Sequence, residues 1–370
     1  MKKITQSLTL PIDRTFHASY DKKRISHDSI NEMEDSKFHP MDKKTTLKDI
    51  AAICNCSVTT VSRALKKSPT ISKAMQQRVS ETAQKLGYIP NSLATSMRTG
   101  STNTIAACLQ DFRNPFFAAI AKYIESYSRK QGYFSLFTTT NEQPSHEYEV
   151  CKSLLEKNVD GILFFPIQRD TKAVELLIQQ HIPLVLVGRY FDEIDTDYVI
   201  SDDAQGAYLV TKHLISKNAK NILFMNVSNS ISSARNREIG YLRALCEHGL
   251  TPHVLEGSME YGKTREAIMD MADSLRHYDA IITFCDIMGF EAYHTLSGMG
   301  YRIPSDIMLA SLDGLQQDII LPIELTCAGT NRRLMVEKSV NLLLDKIKGC
   351  STDEKQHIMI EQYLLEGSTT

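Results

Sequence analysis

From Thr104 onward the chain alternates short, wholly apolar runs with amphipathic stretches of helical period, and no other feature restricts its fold as much. The runs are TIAACL (104–109), FSLFT (134–138), GILFFP (161–166), PLVLV (183–187), NILFMNV (221–227), AIITFC (280–285) and IMLASL (307–312). Between most of them lie helical patterns, among them Phe116–Lys130 and Ala234–His248. Strands without polar alternation are buried on both faces, so the rhythm predicts an α/β fold of parallel sheets covered by helices on both sides. About 260 residues is more than one sheet needs and suits two similar lobes. The last strand-like run is expected to end near Leu365.

The chain before this point follows a different pattern. Thr45 or Thr46 is placed to cap a helix running to Cys54, with Leu47, Ile50 and Ala51 on one face. Asn55 suits the tight turn that follows, and Ser57 caps a second helix, VTTVSRAL, whose period turns Val58, Val61 and Leu65 inward. Thr59, Ser62, Arg63 and Lys66 then point outward. After Ser68-Pro69, Ser72 caps a third helix to Leu86, striped by Met75, Val79, Thr82 and Leu86, and Gly87 ends it. Two short helices across a tight turn, braced by a third, predict a helix-turn-helix headpiece over residues 44–89.

Charge separates the same two regions. Between Lys43 and Gly100 ten Lys and Arg face two acids, a net +8, whereas the chain from Ser101 onward carries −10. A basic module joined to an acidic one predicts that an anionic polymer binds the first and is repelled by the second. In the second helix Thr59 and Arg63 stand four residues apart with Ser62 between them. Short hydroxyls reach phosphates and an Arg reaches guanine O6 and N7, which is the chemistry of a helix in the major groove of double-stranded DNA. A solvated polar face is the bland reading; the coincidence of turn, caps and local charge favours DNA.

Residues 1–43 carry seven charges of each sign up to Asp42 and no sustained period. They are expected to be a disordered arm, or to precede a true start at Met41. The eight cysteines are scattered, with no zinc-finger spacing, so reduced thiols are expected rather than a metal site. No cofactor is expected either. There is no 18-residue apolar span and no signal-peptide core, so the expected setting is the cytoplasm, away from any membrane.

One motif points elsewhere. Gly257–Thr264 reads GSMEYGKT, which satisfies G-x-x-x-x-G-K-[ST], follows a strand-like HVLE, and has Asp286 downstream for magnesium. Met259, Glu260 and Tyr261 make the loop bulky, and Glu260 adds negative charge where phosphates would sit. A surface turn is therefore expected, with a nucleotide-binding enzyme or switch as the outlying alternative. No other catalytic constellation occurs: there is no H-E-x-x-H and no G-x-S-x-G. The chain is not expected to be an enzyme.

The stretch from Thr45 to about Leu365 resembles the lactose-repressor (LacI/GalR) family of bacterial transcription regulators. The resemblance is carried by TLKDIAAICNCSVTTVSRALKKSPTISKAMQQRV and KLGYIPNSLATSMRTGSTNTIA, then by DFRNPFF, VDGIL, RNREIGYLRAL and IPSDIMLASLDG in the family's order. It implies a helix-turn-helix headpiece, a hinge helix over 90–100, and over 101–370 a two-lobed effector-binding and dimerisation domain like the periplasmic sugar-binding proteins. It implies a homodimer, most simply a repressor, on a pseudo-palindromic operator, with affinity controlled by a small molecule (a sugar or derivative by default) between the lobes. Control by a partner protein with no small molecule is the alternative.

The residues the resemblance places at DNA are Thr46, Ser57, Val58, Thr59, Thr60, Ser62 and Arg63 in the headpiece and Asn91, Ala94 and Met97 in the hinge; Val58, at the helix's first position, thus belongs to both the inward and the DNA-facing sets. Met97 holds the position of a minor-groove wedge that is usually Leu, and Thr95 stands where Arg is usual. The resemblance places Asp111, Asn114, Phe116, Arg237, Asp286 and Asp313 in the effector cleft, although Asp111 and Asn114 also suit a cap for the helix opening at Pro115. Gly188, Cys285 and Gly314 depart from Asp, Asn and Asp respectively, so the cleft lacks several usual sugar-binding groups.

Overall fold

The computed structural model describes residues 45–90, 96, 100–352 and 354–370. The expectations for residues 1–43, and for Asn91, Ala94, Thr95 and Met97 in the hinge, fall outside the described residues. The chain divides into two compact units, Met1–Asn91 and Ser92–Thr370.

In the first unit three helices, α1 (Leu47–Cys54), α2 (Val58–Leu65) and α3 (Lys73–Lys85), enclose a small core of Ile50, Ala51, Cys54, Val61, Ala64, Val79 and Ala83. The turn between α1 and α2 depends on Asn55, which adopts the left-handed conformation (φ 49°, ψ 51°), while its N–H returns to the carbonyls of the last helical turn. Ser57 Oγ then caps α2 by accepting from Thr60 N at 3.0 Å, and Ser72 Oγ caps α3 by accepting from Met75 N at 3.4 Å. The inward set of α2 needs one correction: Val58 is 40% exposed and Ala64 is buried beside Val61. Val58 occupies the first helical position, past the edge of a core only two helical turns deep.

The second unit holds two six-stranded sheets. In the first lobe the order is β11-β5-β4-β3-β1-β2, built from β1 (Thr104–Leu109), β2 (Phe134–Thr139), β3 (Gly161–Phe164), β4 (Leu184–Val187), β5 (Tyr198–Ser201) and β11 (His357–Ile360), all parallel. In the second the order is β12-β10-β9-β8-β6-β7, built from β6 (Ile222–Asn226), β7 (His253–Glu256), β8 (Ala280–Thr283), β9 (Met308–Ser311), β10 (Thr326–Thr330) and β12 (Gln362–Leu365), with only β12 antiparallel.

Residue alternation sends each strand into two cores. Ile105, Ala107 and Leu109 of β1 enter one, which also takes Phe117, Ile120 and Ile124 of α4 (Pro115–Lys130); Ala106 and Cys108 enter the other. The second lobe repeats this, with Leu223 and Met225 of β6 on one face and Ile222 and Phe224 on the opposite face. The helices covering these faces also include α5 (Pro144–Glu156), α6 (Lys172–Gln179), α7 (Asp203–Ser216), α8 (Ser232–Glu247), α9 (Lys263–Asp270), α10 (Asp286–Gly298) and α11 (Arg332–Ile347).

The chain passes between lobes three times: from β5 into α7 at residues 201–203, from β10 into α11 at 330–332, and from β11 into β12 at 360–362. Helix α11 follows a second-lobe strand yet buries Met335, Val336, Val340 and Leu343 in a first-lobe core.

Candidate functional site

In the headpiece unit, Thr46, Ser57, Val58, Thr59 and Arg63 are exposed, and Thr60 and Ser62 are half-buried. Several of these hydroxyls already have local work. Thr46 donates both its N–H and its hydroxyl to Asp49 Oδ2 at 2.7 Å, fixing the start of α1, and Ser57 Oγ lies 2.9 Å from Thr60 Oγ1. Thr59 and Arg63 stand one turn apart on the exposed side of α2, with Lys66 and Lys67 exposed just beyond. The result is a short, rigidly capped helix presenting hydroxyls and positive charge outward, a surface suited to a polyanion.

In the second unit a cleft opens between the lobes. Its lining comes from chain positions just past the C-terminal ends of parallel strands, where open α/β sheets place their ligands. Gly188 and Arg189 follow β4, Phe284 and Cys285 follow β8, and Leu312 and Asp313 follow β9; Ser201, Asp203, Thr330 and Gln362 lie at the three crossings between lobes.

Of the residues expected in the cleft, Asn114, Phe116, Arg237 and Asp313 line it. Asn114 also caps α4, with Oδ1 accepting from Phe116 N at 3.0 Å. Phe116 stands edge-on to Phe117, with ring centroids 5.2 Å apart.

Arg237 reaches inward from α8. Its Nε donates to Asp203 Oδ1 at 2.9 Å and one terminal nitrogen lies 3.4 Å from Asp313 Oδ1, while the other donates to the Phe284 carbonyl. Its guanidinium carbon lies 4.4 Å from the Phe284 ring centroid. Burial by itself would lower the Arg237 pKa, but the carboxylates of Asp203 and Asp313 outweigh it and hold the pKa above its ordinary value. Burial pushes Asp313 up to about 6 and raises Asp203 as well, against the opposing pull of Arg237.

Two expected residues are not in the cleft lining. Asp111 turns back on its own loop, accepting from Arg113 N at 2.8 Å and pairing with the Arg113 guanidinium at 2.7 Å. Asp286 is buried at the start of α10, where it accepts from the Ser311 hydroxyl and from the backbone N–H groups of Asp313 at 3.2 Å and Leu315 at 2.6 Å. It thereby braces the loop that presents Asp313.

Sequence reasoning missed Arg189, Asp203, Thr330 and Gln362 as lining residues. Arg189 is 5% exposed, and one terminal nitrogen donates to the carbonyls of Pro166 and Ile167, both at 3.1 Å. Burial lowers its pKa, only partly opposed by the field of Glu142. Thr330 Oγ1 is buried with no hydrogen-bond partner among the described residues. The signal for Arg189 was its place just after the apolar run PLVLV; for Asp203, Thr330 and Gln362 nothing in the sequence marked the crossings.

Residues 257–262 form a turn that leads into α9 at Lys263, with Met259 on the cleft lining. Three N–H groups of the 257–264 segment are engaged within the turn or against the neighbouring strand: Gly257 N donates to Asn226 O at 2.7 Å, Glu260 N to Ser258 Oγ at 3.1 Å and Lys263 N to Glu260 O at 3.1 Å. The Lys263 ammonium pairs with Glu266 at 2.6 Å. A phosphate would have to displace these bonds. Among the described residues no His, Cys, Asp and Glu group could hold a metal ion, and no helix is long and apolar enough to cross a membrane.

Comparison with known proteins agrees with this architecture. Residues 46–91 match the model of bacterial regulatory proteins of the lacI family, and residues 102–367 that of periplasmic binding proteins and the sugar binding domain of the LacI family. The HTH-type transcriptional repressor PurR of Aliivibrio fischeri (strain MJ11) is 30% identical over 310 residues, covering 82% of this chain and 92% of the relative. The solved complex of the transcriptional regulator CelR with cellobiose is similar at a TM-score of 0.66 and 25% identity, covering 88% of this chain and 100% of the other. The Lac repressor dimer bound to operator and the anti-inducer ONPF gives a TM-score of 0.78 at 21% identity over 88% of this chain and 99% of that one, a likeness of fold. A two-lobed domain matched along its length, preceded by a matching headpiece, identifies the chain as a member of the LacI family of bacterial regulatory proteins.

Proposed function

We propose that this protein is a transcriptional repressor that binds operator DNA as a homodimer, with its DNA affinity set by a small molecule held between the lobes of its second unit. The observation that carries the reading is one chain that joins a basic headpiece with an exposed, capped α2 to a two-lobed cleft lined by polar groups at strand ends. Its relatives support this: one is a transcriptional repressor, one is a regulator solved with cellobiose, and one is a dimer on its operator. Headpiece 44–89, hinge 90–100 and effector domain 101–370 are the corresponding divisions, with the cytoplasm as the place of action and no catalysis.

In this reading Arg63 reads a base edge, while Thr59, Ser62 and the hydroxyls at the start of α2 meet phosphates. Two copies read the two halves of a pseudo-palindrome. Asn114, Phe116, Arg237 and Asp313 contact the effector. A ligand that fits only one arrangement of the lobes shifts their equilibrium, and DNA affinity changes with it.

The test is fluorescence anisotropy on operator sequences selected by the wild-type protein from a random pool. Arg63→Ala should cost about 1–3 kcal/mol and relax preference at one base pair per half-site. Equal weakening on all sequences would reassign Arg63 to a phosphate, and unchanged affinity would remove α2 from the groove.

A further inference from the structure

The two guanidinium groups of the cleft are in opposite electrostatic states. Arg237 faces two carboxylates, Asp203 and Asp313. Arg189 makes no ion pair among the described residues, and its hydrogen bonds all come from one terminal nitrogen to two backbone carbonyls. Nε and the second terminal nitrogen have no acceptor there. Carbonyls satisfy donors but supply no contacting countercharge, and a cation this deeply buried is costly unless an anion joins it. The residue before it, Gly188, contributes no side chain, and its φ of 76° suits glycine. The carboxylates of Glu142, Glu147 and Asp203 act on Arg189 through their fields, against that of Arg237, but none of the three is within ion-pair distance.

The cleft is therefore polarised. Its first-lobe wall offers an unmatched guanidinium, while the Asp203–Arg237–Asp313 cluster offers two acids to one base. A ligand that matches this field is acidic at one end and carries hydroxyl or N–H donors at the other, with Phe116 and Phe284 as apolar surfaces between.

We propose that the effector is a small hydroxylated organic anion whose carboxylate or phosphate pairs with Arg189, its hydroxyl groups facing Asp313. This rests on the cleft being the effector site. Bidentate pairing through the two unoccupied nitrogens of the guanidinium gives the anion both charge and direction.

The experiment is thermal denaturation of the full chain at matched ionic strength with D-ribose, D-ribonate, D-ribose 5-phosphate and inorganic phosphate, on wild type, Arg189→Gln and Arg189→Lys. At least one organic anion should raise the Tm in a saturable way, at a concentration at least tenfold below any effect of D-ribose. The shift should vanish in Arg189→Gln and persist in part in Arg189→Lys. Ribonate against ribose 5-phosphate separates carboxylate from phosphate, and inorganic phosphate alone reports whether the anion suffices without hydroxyls. D-ribose acting as strongly as its anions, an anion shift unchanged in Arg189→Gln, or no shift with any anion overturns the proposal. The wild-type comparison of neutral and anionic probes holds even if neither variant folds. A neutral-sugar shift abolished by Asp313→Asn would overturn the anion assignment while leaving the effector cleft standing.

Discussion

Glu147 is nearly buried in α5 and accepts a 2.6 Å hydrogen bond from Ile167 N, in the same peptide stretch whose carbonyls receive Arg189. Burial pushes its pKa up to about 7. An acid with a raised folded-state pKa is bound more tightly to its proton in the folded chain, so stability falls as pH rises from about 4.5 to about 7. Over that span the group removes on the order of 3 kcal/mol. Glu147→Gln should flatten this part of the pH–stability curve, as measured by urea denaturation from pH 4.5 to 8; an unchanged slope would assign the dependence to other groups. Nothing in PSHEYEV marks Glu147 as buried, since a polar residue in a helical first turn reads as solvated. Asp286 shows the opposite case: an acid after a strand reads as a ligand contact, and only the tertiary structure shows its oxygens engaged by Ser311 and two N–H groups outside the cleft lining.

Helices α7 and α8 approach so closely that a Cβ added at Gly240 would lie 2.0 Å from the Ala204 carbonyl oxygen and 2.9 Å from Tyr208 N. Both obstacles are backbone, so Gly240→Ala must push the helices apart, costing about 1–3 kcal/mol or more. Because α8 carries Arg237 and α7 carries Asp203, the same change should lengthen that 2.9 Å contact and weaken effector binding along with the Tm. A thermal melt unchanged within about a degree would contradict the packing argument. Where the sequence pattern was strong, elements were legible to the residue: TIAACL is β1, and Asn55, Ser57 and Ser72 stand at the turn and caps that their chemistry favours. YVIS (β5), TCAGT (β10) and HIMI (β11) were not picked out as strands, because runs this short or this rich in Thr and Gly carry little periodic signal. Periodicity also identifies an element without saying which sheet receives it. The order β11-β5 and the placement of α11 on the first lobe arise from contacts between segments far apart in the chain.

At the scale of the whole second unit, side chains fasten one lobe directly to the other. Gln168 Oε1 accepts from Ser232 N at 2.9 Å and from Ser232 Oγ at 3.0 Å, and Tyr190 N donates to Ser232 Oγ at 3.1 Å. Arg235 pairs with Asp192 at 2.7 Å, and Tyr123 donates to Asp318 at 2.7 Å. Replacing both Gln168 and Ser232 by Ala should favour an open arrangement, raise the radius of gyration in small-angle scattering and weaken effector binding by about tenfold, within the usual range of coupling energies. Scattering identical to wild type would show that these bonds do not hold the closed form.

The three crossings have a further consequence, for inheritance rather than motion. Neither lobe is a contiguous stretch of gene: the first needs residues 104–201 together with α11 and β11, and the second is interrupted by those same segments. No single truncation, fusion or recombination breakpoint within the unit can therefore deliver one intact lobe. A fragment ending at Ser201 would leave the outer edge of β5 bare where β11 belongs and uncover the face that α11 seals. It should remain unfolded by circular dichroism, and recover structure only when residues 332–360 are supplied. With a single breakpoint, the two lobes are thus passed on together or not at all.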